Sequence, residues 1–234
     1  MSEWWTYRPS DFLLFAPRTY YRLVETYNAE LWPAQLVALA AALLFLAMAW
    51  RGSARAGRFV ALGLAASWTL VAWRFHWTHY ATINWAAVYF TLAFGAQAGL
   101  LIGAALLDAL RYDRRPSTAR RYAGLALVVI ALAVQPLAAL MLGRPARQLE
   151  VAGLFPDPTA LLTLGLLLIA GRAHWSLFPV PVLWCLVSAT TLWTMNAADA
   201  LLPLVGALVA TVAAIGLRPR PEQGSAVMRP HGPH

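Results

Sequence analysis

Residues 122–142 read YAGLALVVIALAVQPLAALML, with no ionised side chain between Tyr122 and Leu142. A run of about 20 apolar residues matches a hydrocarbon core roughly 30 Å thick. Leu36–Trp50 is likewise free of charge. Across the chain 60% of the 234 residues are hydrophobic and 12% are charged, against about 25% charged in a soluble domain. So much apolar surface is solvated by lipid rather than folded into one water-soluble core. Only helices and closed barrels satisfy their backbone in lipid. These runs are too long, and alternate too little, to be barrel strands.

The sequence therefore predicts an all-α polytopic bundle with about seven spans, at 33–50, 59–80, 85–109, 122–142, 157–171, 179–197 and 200–217. The fifth is short, about 21 Å of helix between Asp157 and Arg172, so it is either extended upstream or re-entrant. No basic segment precedes a short apolar core at the N-terminus, so no cleavable signal peptide is expected. The tail 218–234, with Pro219, Pro221, Pro230 and Pro233, is expected to be disordered.

All 18 basic residues are arginine and the formal charge is +8. Their placement marks topology rather than nucleic-acid binding. Arg51, Arg55, Arg58, Arg111, Arg114, Arg115, Arg120, Arg121, Arg172, Arg218, Arg220 and Arg229 fall on one side of the predicted spans. Arg8, Arg18, Arg22, Arg144 and Arg147 fall on the other, with most of the acids. The positive-inside rule puts the first set in the cytoplasm, leaving the N-terminus outside and the C-terminus inside. A bacterial inner (cytoplasmic) membrane suits this pattern, with the lipid bilayer as the principal partner.

Residues 1–32 mix aromatics with charge. Ser10 and Asp11 form a plausible helix start, and Pro17 suits a first helical position. Tyr20, Val24, Tyr27 and Leu31 would share one helical face and Arg18, Arg22 and Glu25 another. Such a segment serves either as an interfacial aromatic anchor or as a lid over an outward-facing cavity.

The tract Trp73-Arg-Phe-His-Trp-Thr-His-Tyr-Ala-Thr-Ile-Asn-Trp85 closes the second run and leads into the third. Arg74 lies about 9 Å inside the span end and needs an acid, carbonyls or water. His76 and His79, three apart, would share a helical face. Three readings compete here: an aromatic belt with snorkelling Arg and His, a polar site facing a wet vestibule, and a metal or haem site. The last is weak, because a third ligand would have to be a carboxylate. Asp157, set between two prolines, and Asp199, near Asn196, are the acids expected to partner Arg74, with Asp157 favoured. Glu25 and Glu30 are further outer-side acids. As plain structure, Asp157 would be an N-cap before Pro158, and Asp199 would cap the last helix.

Gly95, Gly99 and Gly103 recur at four-residue spacing and predict close approach of a neighbouring helix. Gln97 and Gln135 are buried amides in need of partners. Pro136 and Pro203 should kink their helices or free carbonyls. Phosphate-loop, zinc-protease, nucleophile-elbow and dithiol motifs are all missing, so no catalytic residue, metal or cofactor is assigned.

The blocks Ser2–Tyr7, Ser10–Phe15, Pro17–Arg22, Tyr80–Ala87, Pro156–Thr159, Thr163–Gly165 and Pro181–Leu186 resemble a family of bacterial multi-pass membrane proteins of unknown function. The resemblance runs through nearly the whole chain. It implies a membrane location and assigns no functional residue.

From the residues alone, the leading functional reading is a small-solute transporter, channel or binding protein. Its outward polar site would draw on Arg74, His76, His79, Asn84, Asp157, Asn196 and Asp199. The alternative is a non-catalytic accessory subunit that packs on a membrane-protein partner or on a second copy of itself. An enzyme is the weakest reading. Cysteines at Ala54 and Ser117 should resist an impermeant thiol reagent applied to intact cells, and cysteines at Ser10 and Gly153 should react; reversed labelling would overturn the orientation.

Overall fold

The computed structural model describes residues 15–53, 55–113, 116–171 and 175–216. The expected disorder of 218–234 and the helix start at Ser10 and Asp11 lie outside these residues. Each of the seven apolar runs coincides with a helix, and a further amphipathic helix precedes them. We number them α1 (Pro17–Leu31), α2 (Ala34–Arg51), α3 (Ala56–Thr82), α4 (Ala87–Leu106), α5 (Thr118–Met141), α6 (Pro156–Ile169), α7 (Pro179–Thr194) and α8 (Leu201–Gly216). No strand occurs among the described residues. Helices α2, α3, α4, α5 and the one ending in α7 are long and apolar enough to cross a membrane, while α6 and α8 are shorter apolar helices.

The short sixth helix is the axle of the bundle. All 14 of its residues are buried, and it packs against α2, α3, α5, α7 and α8. A helix that is apolar all round has no face for water and belongs inside. Its few polar side chains are used locally or by neighbours. Thr163 Oγ1 donates to the Thr159 carbonyl and accepts from Trp68 Nε1 of α3 at 2.9 Å. Tyr112 OH donates to the Leu166 carbonyl at 3.2 Å.

The close glycine contact predicted for α4 occurs elsewhere. A Cβ on Gly95, Gly99 or Gly103 would meet nothing within 4 Å, so among the described residues that row is an open surface. Its four-residue period puts the glycines on one stripe, but α4 packs on α3 through its opposite side, where Phe94, Ala98, Leu101 and Ala105 are buried. The tight crossing is Gly124 of α5 against Gly165 of α6. A Cβ on Gly165 would lie 2.7 Å from the Gly124 carbonyl oxygen, and one on Gly124 2.6 Å from the Gly165 oxygen.

Both internal prolines act differently. The turns Ile130–Val134 before Gln135-Pro136 widen to π geometry, which absorbs the lost donor and ring clash of Pro136. Pro203 is the third residue of α8, where the backbone N–H would have no intrahelical acceptor, so it does not kink the helix.

α1 lies across one end of the bundle. It begins at Pro17 as expected, and Tyr20, Leu23, Val24 and Tyr27 form its buried face. Tyr27 OH donates to the Leu154 carbonyl, and Asn28 Nδ2 donates to the carbonyls of Arg147 and Leu149. The helix is thus tied to the 143–155 connection between α5 and α6.

Because the two glycine sets differ in surroundings, they should differ in thermal unfolding in detergent. Gly165→Ala overpacks the α5–α6 crossing and should cost on the order of 1–3 kcal/mol. Gly99→Leu should change stability by no more than about 0.5 kcal/mol. Comparable losses for both would place a neighbour against α4.

Candidate functional site

The stretch Val71–His79 winds as a π-helix. With more than four residues per turn, positions three apart diverge, so His76 and His79 do not share a face. His76 is fully buried among Phe90, Phe94, Trp184 and Tyr80, with no hydrogen-bond partner on either ring nitrogen. His79 turns toward α1, with Nε2 3.0 Å from Glu30 Oε2 and Nδ1 2.7 Å from the Arg74 carbonyl oxygen. Among the described residues no group of three or more His, Cys, Asp or Glu is placed to hold a metal ion.

Arg74 pairs with Glu30, at 3.2 Å, rather than with Asp157 or Asp199. The reason is the course of α1, which brings Glu30 to the solvent-accessible rim where Arg74 emerges. Arg74 and Glu30 are 36% and 43% exposed, so this is a surface ion pair of small worth, about 0–1 kcal/mol. Asn84 forms an Asx turn before α4, its Oδ1 accepting from the Ala86 N–H at 2.9 Å. Asn196 follows α7 with φ +56°, a left-handed conformation that asparagine tolerates.

The two acids expected beside Arg74 belong to a second, deeper group. Asp157 stands in the first turn of α6 but does not cap it: Phe155 holds the cap position and no side chain caps there. The carboxylate reaches sideways to α7, accepting from Trp184 Nε1 at 2.7 Å and from Ser188 Oγ. Two donors and the positive end of the helix favour negative charge at that point. Asp199 likewise caps nothing with its side chain and is ion-paired with Arg144. The Arg144 guanidinium also sits over the Tyr21 ring, 4.8 Å from its centroid.

Glu150 completes the group, and nothing in the sequence singled it out. Its Oε1 accepts from Tyr20 OH at 3.0 Å, and its buried Oε2 has no partner. Burial, reinforced by the negative charge of Asp157, holds its carboxyl well above the usual range. The same burial, with Glu150 alongside, raises the Tyr20 hydroxyl. By contrast Glu25, at the surface of α1, is held low by hydrogen bonds from Gln148 and Arg147.

Glu150, Asp157, Asp199 and Arg144 line one small cavity together with Gln135 and Gln148. Its volume is about 10 Å³, room for no more than one water. A second cavity of about 20 Å³ adjoins Asp157, Trp184 and Ser188. The structure thus divides the predicted cluster into a surface triad, Glu30–Arg74–His79, and a buried carboxylate group beneath α1.

Asp157→Leu should strand two buried donors at about 1–3 kcal/mol each, far more than Arg74→Leu. Combined with Ser188→Ala it should cost less than the sum of the two single changes, because one orphaned hydroxyl is removed. Additive losses in thermal unfolding would show that the Asp157–Ser188 bond carries no coupling.

No curated protein and no solved structure matches this chain. A family model does match, over residues 18–222, and so covers every element of the site from α1 to α8. On that match, the helical bundle with its buried carboxylates belongs to the family of unknown function DUF6064.

Proposed function

We propose that this protein is a small-solute transporter, channel or binding protein of the cytoplasmic membrane, working through an outward-facing polar site under α1. One observation carries this reading: three carboxylates, Glu150, Asp157 and Asp199, line one small cavity with a single guanidinium, Arg144, which pairs with Asp199, at one end of an apolar bundle. Ionisable groups buried in such a bundle are costly and mark functional sites by default. The positive-inside distribution of arginine supports the outward orientation of that end. The cavities, about 10 and 20 Å³, suit a proton, a water or a small ion. A larger cavity, about 730 Å³, lies between α1 and the 143–155 connection, lined by Arg22, Asn28, Trp32 and Gln35 among others, and has room for an organic solute.

An accessory role is favoured by a different observation. The open stripe of Gly95, Gly99 and Gly103 is shaped for a helix of another membrane protein or of a second copy. In this reading Gly99→Leu abolishes co-purification of the partner while the isolated bundle stays folded.

Reconstitution in liposomes separates the two. Under an imposed pH or sodium gradient the wild-type chain should dissipate the gradient, read by an entrapped dye. Asp157→Asn should slow this at least tenfold. Equal leak from wild type, variant and empty vesicles would remove the transport reading.

A further inference from the structure

We propose that the cavity under α1 is a proton-binding site, in which Glu150 holds a proton on Oε2 at neutral pH and presents it to Gln135 Oε1, directly or through one water. This deepens, and rests on, the polar site of the proposed function, and it names the ligand as a proton.

The assignment follows from what each acid is given. Three carboxylates and one guanidinium would leave a net charge of 1 − 3 = −2 in one buried cavity if all were ionised. Asp199 has Arg144. Asp157 has Trp184 Nε1, Ser188 Oγ and the N-terminus of α6. Glu150 has only the neutral Tyr20 hydroxyl on one oxygen, and nothing on the other. Removing one charge therefore costs least at Glu150.

A second observation, independent of the acids, concerns the same cavity. Gln135 on α5 is 8% exposed, lines the same cavity, and its Oε1 has no hydrogen-bond donor. A buried acceptor without a donor is costly. Two orphaned acceptors, Glu150 Oε2 and Gln135 Oε1, belong to residues that line one water-sized cavity, and a hydrogen on the first would satisfy both. No further cation is needed. The groups facing Glu150 are Tyr20 and Tyr21 from α1, Arg144 from its own connection, Asp157 from α6 and Asp199 from the turn before α8. Burial and the negative charge of Asp157 act on Glu150 in the same direction, toward proton retention.

The stability sign follows. A carboxyl whose folded pKa lies above its unfolded value binds more protons folded than unfolded. Stability is full below the ordinary carboxylate range and declines as pH rises toward the folded value. Wild type should therefore lose melting temperature between mildly acidic and alkaline pH relative to Glu150→Gln, which carries its hydrogens at every pH.

Infrared spectroscopy of the full chain in lipid nanodiscs at neutral pH tests the site. A protonated carboxylic-acid carbonyl band should be present, should vanish in Glu150→Gln, and should persist in Asp199→Asn. Heavy-carbon carboxyl labelling of glutamate should shift it, which identifies a glutamate even where a variant fails to fold. A missing band, a band that survives Glu150→Gln, or one unmoved by glutamate labelling would overturn the proposal. A band without any flux in liposomes upholds the proton site and removes transport; flux without the band does the reverse.

Discussion

A helix with no exposed side dictates the rest of this bundle. α6 is too short to cross a bilayer comfortably and has every residue buried, so other helices must surround it. Its backbone is satisfied internally, but its side chains must be met by neighbours that fit. Where α5 comes closest, both helices offer glycine, Gly124 and Gly165. Where α3 approaches, Trp68 brings an indole N–H to the Thr163 hydroxyl. Where α7 approaches, Trp184 and Ser188 supply donors to Asp157. The polar contacts of the centre are thus set by the few heteroatoms α6 cannot avoid carrying.

The end of α6 where these contacts gather is also where charge is concentrated. α1 lies over it and is tied down along its length by Tyr20, Glu25, Tyr27, Asn28 and Glu30. Two kinds of electrostatics result. At the rim, Glu30, Arg74 and His79 remain partly wet and contribute little. Beneath α1, Glu150, Asp157, Asp199 and Arg144 share a cavity with room for one water at most. There charge is expensive, every donor matters, and protonation becomes a means of relieving repulsion.

A binding or transport role and an accessory role place their demands on different faces. The carboxylate group lies beneath α1 and is independent of the glycine stripe of α4, which opens outward with none of the described residues against it. One protein can carry both, since neither feature supports the other structurally.

The apolar runs alone determined that the chain is a helical bundle, and where its helices fall, because uncharged stretches near 20 residues have few other stable forms in a membrane. The buried face of α1 was legible too, since Tyr20, Val24 and Tyr27 recur at helical spacing. What sequence could not supply was which polar groups meet. Asp157, Asp199 and Glu30 all sat at the same predicted end as Arg74, yet which of them it meets depended on the path of α1. Likewise, the regular glycine row of α4 signalled packing more strongly than the isolated Gly124 and Gly165, although only the latter pair touch. Periodicity reports which residues share a face. The neighbour that face receives, and therefore the worth of a charge or a missing side chain, is decided by tertiary arrangement, because desolvation and close contact depend on surrounding atoms rather than on spacing along the chain.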